Sequence, residues 1–173
     1  DCAAELQKRD NARNIRIFVY GDGPHRSILE QRCIDENINN IKFKGFVEKK
    51  YIPYILSKSN LNVLNYRQSS TQKNGNSSNK LFEYLAAGHP VLANIDEGRY
   101  PIISKHECGL VLKERSPESY ADAVQYFSQL DDEKYLKYCE NAVNTAKMFD
   151  IPVLAAKLEE VLSSCIAEFS SQK

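Results

Sequence analysis

Residues 74–91 read NGNSSNKLFEYLAAGHPV, a polar segment that changes abruptly into a short amphipathic one. Either serine can cap a helix that begins near Asn79, because a serine oxygen accepts hydrogen bonds from the free N–H groups of a first turn. Gly88 and the proline after it are typical of a helix end. The stretch therefore predicts a helix over 79–88, followed at once by a short buried strand over 90–94.

Strands and helices alternate on both sides of this stretch. A near-continuous apolar run such as NIRIFVY is typical of a strand that is buried on both faces, as in a parallel sheet. Strand–helix alternation favours a parallel sheet with right-handed crossovers. The predicted strands are 14–24, 40–45, 60–66, 90–94 and 109–112, and the predicted helices between them are 25–38, 48–59, 79–88 and 100–106.

The last third of the chain has a purely helical pattern. Acidic residues and Pro152 separate the helices, which we expect to pack on the sheet. The predicted fold class is α/β, a Rossmann-like doubly wound, mainly parallel sheet with helices on both faces and a helical C-terminal tail. The predicted organisation is one domain over 1–173, with a remnant helix at 1–13, a sheet core at 14–112 and a tail at 113–173 whose helices are 117–130, 132–148 and 152–168.

Composition excludes several classes of protein. Lys and Arg number 23, as do Asp and Glu, so the chain lacks the basic excess of a nucleic-acid-binding domain. No apolar run is long enough to span a bilayer, and there is no signal-peptide pattern. Five scattered cysteines without a C-x-x-C pair indicate reduced, mostly buried thiols in a cytosolic protein. The three histidines have no spacing that suggests a metal site.

A pair of charged residues on helix 79–88 is the strongest candidate for chemistry. Ligands of open α/β sheets bind at the carboxyl ends of the strands, and the polar loop before this helix follows such an end. Lys80 lies beside the free N–H groups of the first turn, which favour an anion, and Glu83 can accept hydrogen bonds from vicinal hydroxyls. A nucleotide diphosphate and a ribose would account for both residues. An ordinary solvent-exposed ion pair, worth about 0.3 kcal/mol, is the open alternative.

Four segments resemble one enzyme family in the correct order. SSNKLFEYLAAGHPV strongly resembles the signature of family-four GT-B glycosyltransferases, in their C-terminal nucleotide-sugar-binding domain. The resemblance extends over most of the chain, through FVYGDGPHRSILE, IKFKGFVEKKYIPYIL and ISKHECGLVL. It implies a retaining, metal-independent transferase that takes a sugar from a nucleotide sugar, with UDP as the expected carrier and no cofactor.

The same resemblance assigns roles to individual residues. It implies that Glu83 holds the ribose hydroxyls, and that Lys80 meets the diphosphate together with the helix amides near Ser78 and Asn79. It places the nucleotide base against the stretch Gly45, Phe46 and Val47.

The chain departs from the family pattern in the loop before this helix. The family carries a first glutamate where this chain has Gly75, and we expect main-chain amides around Gly75 and Asn76 to replace it. Arg67 is a further candidate for a phosphate or sugar contact. The run GNSSNKL is similar to the branch that transfers N-acetylated amino sugars in O-antigen and capsule assembly, with Ser78 in place of its proline.

A larger departure lies at the start of the chain. The family's C-terminal domain opens with a central strand and an Arg…Lys pair that grips the diphosphate, and nothing before Asn14 supplies either. The chain begins with Asp1 and its only methionine is Met148, so we expect a piece of a longer protein. The resemblance implies that the full-length enzyme is cytoplasmic, at the inner face of the plasma membrane. A missing N-terminal domain would bind the glycan or lipid-linked acceptor. Residues 1–173 alone are therefore expected to be inactive in transfer.

Three other functions remain open at this point. They are a GT-B-type nucleotide-sugar epimerase, a dinucleotide-dependent oxidoreductase and a non-catalytic nucleotide-sugar-binding module. The oxidoreductase is disfavoured because GDGPHR lacks the third glycine of the G-x-G-x-x-G fingerprint.

Overall fold

The computed structural model describes residues 1–66, 78–98 and 100–171. Every strand pair within them is parallel. One sheet has the order β1-β2 and the other the order β3-β4-β5, and the two sheets are not hydrogen-bonded to each other. The strands are β1 Ile17–Tyr20, β2 Ile41–Gly45, β3 Asn62–Leu64, β4 Val91–Ala93 and β5 Gly109–Val111.

Helices connect the strands and form the C-terminal third. They are α1 Cys2–Gln7, α2 Arg26–Asp35, α3 Ile52–Leu56, α4 Asn79–Ala86, α5 Pro117–Ser128, α6 Asp132–Met148 and α7 Ile151–Ser171, with short 3-10 turns at Asp10–Ala12 and Lys49–Tyr51. This arrangement confirms the predicted α/β class, with parallel sheets, helices on both sides and a helical tail.

The three-stranded sheet forms the main core. Val91 and Ala93 of β4 are fully buried and belong to one apolar cluster with Leu81 and Leu85 of α4. Strands β4 and β5 approach so closely that a Cβ at Gly109 would lie 1.9 Å from the Val91 carbonyl oxygen. Only glycine fits there, which explains the small residue at the start of the GLVL strand.

Helix α6 fixes α4 from the other side. The rings of Phe82 and Phe149 lie 5.1 Å apart between their centroids. Helix α4 ends at Ala86, and Gly88 just beyond it has a φ of +76°, which is strained for any residue with a side chain. A Cβ added at Gly88 would also lie 3.1 Å from Val143 Cγ2. The amphipathic helix of the opening stretch is thus held between the sheet and α6.

Helix α5 links the two sheets. Ala121 belongs to a second apolar cluster with Leu6 of α1, against which Ile17 of β1 packs, and the Asp122 carboxylate accepts a 2.7 Å hydrogen bond from Arg9. On the same helix, the Tyr120 hydroxyl donates to Asn65 Oδ1, at the end of β3, over 2.9 Å. Both sheets are therefore attached to one helix although they share no backbone hydrogen bond.

Four local predictions were wrong. Strand β1 is shorter than 14–24 and is not buried on both faces, since Phe18, Val19 and Tyr20 are 50%, 37% and 40% exposed. Because the side chains of a strand project from the two faces of its sheet, this exposure means that the described residues leave both faces of β1 partly uncovered. The predicted helix 100–106 is a hydrogen-bonded turn instead.

The other two errors concern burial. Helix α7 does not pack on the sheet, because all of its described side chains are exposed, from Ile151 onward. The thiols are not mostly buried, since only Cys108 is fully enclosed. Burial raises the pKa of Cys108 to about 11.

Candidate functional site

A buried asparagine organises the carboxyl ends of β3 and β4. Asn94 follows β4 and is 3% exposed. Its Oδ1 accepts a hydrogen bond from the Tyr66 N–H at 2.8 Å, and its Nδ2 donates to the Tyr66 carbonyl oxygen at 3.0 Å. The same Nδ2 donates to Asn65 Oδ1 at 2.5 Å. These contacts hold the residues that follow β3 against the end of β4.

Tyr66 connects this hydrogen-bond network to the start of α4. Its hydroxyl and Ser78 Oγ are 2.5 Å apart, which joins the two residues that flank the segment 67–77. Ser78, one of the two serines predicted to cap α4, stands at the N-cap position, but its side chain does not accept a hydrogen bond from the helix. Its hydroxyl is paired with tyrosine instead, so the cap does not occupy the N–H groups of the first turn.

The two charged residues of α4 are both available to a ligand. The Lys80 side chain is exposed and Glu83 is half-buried. Within the described residues, neither side chain forms an ion pair or a hydrogen bond. The intrahelical Lys–Glu pair that the sequence left open is therefore not formed. The helix N-terminus and Lys80 both favour an anion at this point.

Tyr84 adds a protonated phenol beside this carboxylate. Burial raises the pKa of Tyr84, and the nearby Tyr66 hydroxyl and Glu83 carboxylate raise that pKa further. Tyr84 therefore stays neutral at physiological pH and keeps its hydrogen-bond donor.

A second group of candidate residues lies at the end of β2. Gly45 is buried with φ of +74°, Phe46 is 77% exposed and Val47 is half-buried. The Gly45 carbonyl oxygen accepts a 2.7 Å hydrogen bond from the Gly21 N–H, which ties this end to the end of β1. The guanidinium of Arg26 lies directly over Gly45, where a Cβ would be 2.5 Å from Nη1.

The structure therefore presents the predicted residues in two places. Ser78, Asn79, Lys80 and Glu83 lie at or on α4, whereas Gly45, Phe46 and Val47 end a strand of the other sheet. The predicted contacts at Arg67, Gly75 and Asn76 lie outside the described residues.

Sequence reasoning missed Asn94 and Arg26. For Asn94, a polar residue that ends the apolar run PVLAN was an available signal. For Arg26, the available signal was a cation two residues after GDGP, at the start of the helix that follows a strand.

Other features of the described residues add no chemistry to this site. No cluster of His, Cys, Asp or Glu among them could hold a metal ion. None of the helices in the described ranges is both long enough and apolar enough to cross a membrane. A cavity of about 1030 Å³ lies between the 95–104 loop and α6 and contains none of the predicted site residues.

Comparison of the sequence with known proteins points to one family of glycosyltransferases. The model of the family "Glycosyl transferases group 1" matches residues 2–148. A D-inositol 3-phosphate glycosyltransferase from Corynebacterium glutamicum (strain R) is 28% identical over 168 residues, which are 95% of this chain and 39% of that protein. The chain thus spans about two fifths of the curated relative that it matches.

Solved structures share the fold. WaaG, a glycosyltransferase involved in lipopolysaccharide biosynthesis, superposes with a TM-score of 0.68 at 20% identity, over 92% of this chain and 41% of WaaG. Anabaena HepE, solved with UDP-glucose, gives 0.67 at 19% identity, over 94% of this chain and 44% of HepE. Staphylococcus aureus TarM, solved with UDP and α-GlcNAc-glycerol, gives 0.69 at 19% identity, over 94% of this chain and 31% of TarM.

Proposed function

The chain belongs to the glycosyl transferases group 1 family, and we propose that residues 1–173 bind the nucleotide-sugar donor of a retaining transferase. UDP is the favoured nucleotide carrier, which is supported by the UDP and UDP-glucose found in structural neighbours. The transferred group is a hexosyl or N-acetylhexosaminyl residue, and the acceptor is a glycan or a lipid-linked sugar of a surface polysaccharide.

One observation carries this proposal. Lys80 and Glu83 lie on the same helix, whose N-terminus is joined to the carboxyl end of β3 through Ser78 and Tyr66, and neither side chain is paired with described residues. Two unpaired opposite charges, one turn apart, fit a ligand that carries an anion beside vicinal hydroxyls. A diphosphate near Lys80 and the first-turn amides, with the ribose hydroxyls on Glu83, satisfies both groups.

The family resemblance guides the placement of the remaining parts of the donor. The base lies against Gly45, Phe46 and Val47, at the end of β2. The sugar is held by main-chain amides around Gly75 and Asn76, where the family's first glutamate is missing. Arg67 contacts the phosphate or the sugar.

The chemistry is electrostatic stabilisation of the leaving group. As the bond to the sugar breaks, negative charge grows on the diphosphate, and Lys80 with the amides of Asn79 and Lys80 opposes that charge without a metal or a cofactor. The acceptor is bound by a further domain, because transfer requires both substrates to be held together away from water. Residues 1–173 alone therefore bind the donor without transferring it.

The cellular setting is proposed by analogy. The whole enzyme acts in the cytoplasm, at the inner face of the plasma membrane, and belongs to the branch that transfers amino sugars in O-antigen and capsule assembly.

Calorimetric titration of residues 1–173 with UDP tests the site. Glu83→Gln removes the charge that strengthens the hydrogen bonds to ribose, so we expect affinity to fall about tenfold or more, equivalent to about 1.5–3 kcal/mol. Because the Glu83 side chain forms no ion pair or hydrogen bond with the described residues, and glutamine has nearly the same shape, the melting temperature should not change. Glu159→Gln, at an exposed position of α7, is the matched control and should leave both quantities unchanged.

Two results would contradict the proposed role of Glu83 in binding the ribose. The first is unchanged UDP affinity in Glu83→Gln. The second is a large loss of thermal stability in that variant.

A further inference from the structure

The environment of Arg26 is unusual for a surface arginine. Its side chain is 35% exposed and its Nε donates to Glu30 Oε1 at 3.0 Å. A Cβ built on Gly45 would lie 2.5 Å from Nη1, 3.3 Å from Cζ and 3.5 Å from Nη2, so the guanidinium covers the bare Cα of this glycine. Any other residue at Gly45 would displace the arginine.

The Glu30 contact fixes the orientation of the guanidinium and leaves its outer donors available. Neither Nη1 nor Nη2 has a hydrogen-bond acceptor among the described residues. A guanidinium carries five N–H donors in a rigid plane, and only the Nε donor is occupied here. Phe46 follows Gly45 directly in the sequence, and its side chain is 77% exposed, so its aromatic ring is accessible to a ligand at this end of β2.

A planar heterocycle with a ring carbonyl matches these two groups. An aromatic ring provides a stacking surface for a base of any kind, and base stacking is tolerant of base identity. The N–H donors of arginine bind only a hydrogen-bond acceptor, so they distinguish a carbonyl oxygen from an exocyclic amino group. Because the Glu30 carboxylate already offsets the charge of this guanidinium, a neutral carbonyl fits the free donors better than a second anion does.

We propose that Arg26 is a specificity residue that selects the nucleotide base, with an Nη group donating a hydrogen bond to a ring carbonyl such as O4 of uracil. Phe46 supports the base by stacking. Cytosine presents an amino group at the same ring position and is disfavoured because donor would face donor. This inference rests on the proposed function, since it requires a nucleotide at the end of β2.

Binding of UDP and CDP to residues 1–173 tests the proposal, because the two ligands differ in that ring position. The wild-type protein should bind UDP about tenfold more tightly than CDP. Arg26→Ala should weaken UDP binding about tenfold and leave CDP binding nearly unchanged, which removes the preference. Arg26→Lys keeps the charge without the planar fork and should lose most of the preference as well.

Arg32→Ala is the matched control. Arg32 lies on the same helix as Arg26, but near the opposite end of that helix, where it pairs with Asp1 and Glu36. The control variant should leave the UDP-to-CDP ratio as in the wild type. An unchanged ratio in Arg26→Ala, or equal weakening of both ligands, would overturn the assignment. The proposed donor site is judged separately, by UDP binding to the wild type and to Glu83→Gln.

Discussion

Replacing Asn94 by alanine should destabilise the protein and disturb the candidate site, because Asn94 holds the residues that follow β3. The wild-type side chain makes three hydrogen bonds with Tyr66 and Asn65 while only 3% of the residue is exposed. Alanine removes all three and leaves the N–H and the carbonyl of Tyr66 without those partners. Since Tyr66 also pairs with Ser78 at the start of α4, the loss should reach the residues proposed to bind the donor.

The cost follows from the number of groups left unsatisfied. A buried donor or acceptor without a partner costs about 1–3 kcal/mol, so two backbone groups together with the lost amide contacts give about 3 kcal/mol. The free energy of unfolding of a domain is about 5–15 kcal/mol, so the variant should still fold. Its melting temperature should fall by about 6–12 °C for a chain of this size.

Chemical denaturation of the wild type and Asn94→Ala measures this loss directly. Asn144→Ala is the control, because Asn144 is exposed on α6 and its replacement should change stability by no more than about 0.5 kcal/mol. At a temperature where Asn94→Ala is fully folded, its affinity for UDP should also be reduced. A loss of stability below about 1 kcal/mol, with UDP affinity intact, would refute the role given to this asparagine.

Two further predictions concern the scaffold. Gly109→Ala places a methyl group 1.9 Å from the Val91 carbonyl oxygen, so we expect it to lower the melting temperature strongly or to prevent folding. Gly23→Ala, with no atom within 4 Å of the added Cβ, should be tolerated. Equal stability of the two variants would contradict the close approach of β4 and β5. Burial raises the pKa of Tyr135 to about 12, above its ordinary value near 10. The unfolded chain therefore releases the Tyr135 proton at a lower pH than the folded chain does, and the free energy of unfolding should fall as pH rises from about 10 to about 12. Tyr135→Phe should flatten this alkaline loss relative to the exposed control Tyr54→Phe, and identical pH profiles of melting temperature would count against it.

The opening stretch was predictable because several local signals agree. Polar residues before the helix, an amphipathic run and a terminal glycine all specify one short helix, and α4 ends within two residues of the predicted boundary although the Ser78 side chain does not cap it. The same is true of α5 and α6, where Ser116 and Asp131 accept hydrogen bonds from the first helical turn.

The errors come from contacts that the local pattern does not contain. The segment 100–106 has a helical pattern, but the Glu97 carboxylate accepts hydrogen bonds from the N–H groups of Ile102 and Ile103 and stabilises a turn instead. The apolar run of β1 indicates a buried strand, but its actual exposure depends on which elements pack on the two faces of the sheet.

The site was predictable only in part for the same reason. Lys80 and Glu83 could be placed on one face from helical periodicity, since they lie one turn apart. The contact between Arg26 and Gly45 joins residues on different elements, and the Asn94 network joins the ends of two strands. No local pattern encodes either contact.

Backbone NMR of residues 1–173 during titration with UDP tests the central claim most directly, namely that this chain carries a nucleotide-sugar donor site at the ends of β2 and β3. We expect binding on the order of millimolar, about 4 kcal/mol, because only part of a donor site is represented among the residues proposed here. The chemical shift changes should cluster at 45–47 and 78–83. Lys80→Ala should weaken them. No binding at about 10 mM UDP, roughly ten times the expected Kd, or changes confined to the cavity beside α6, would contradict the account.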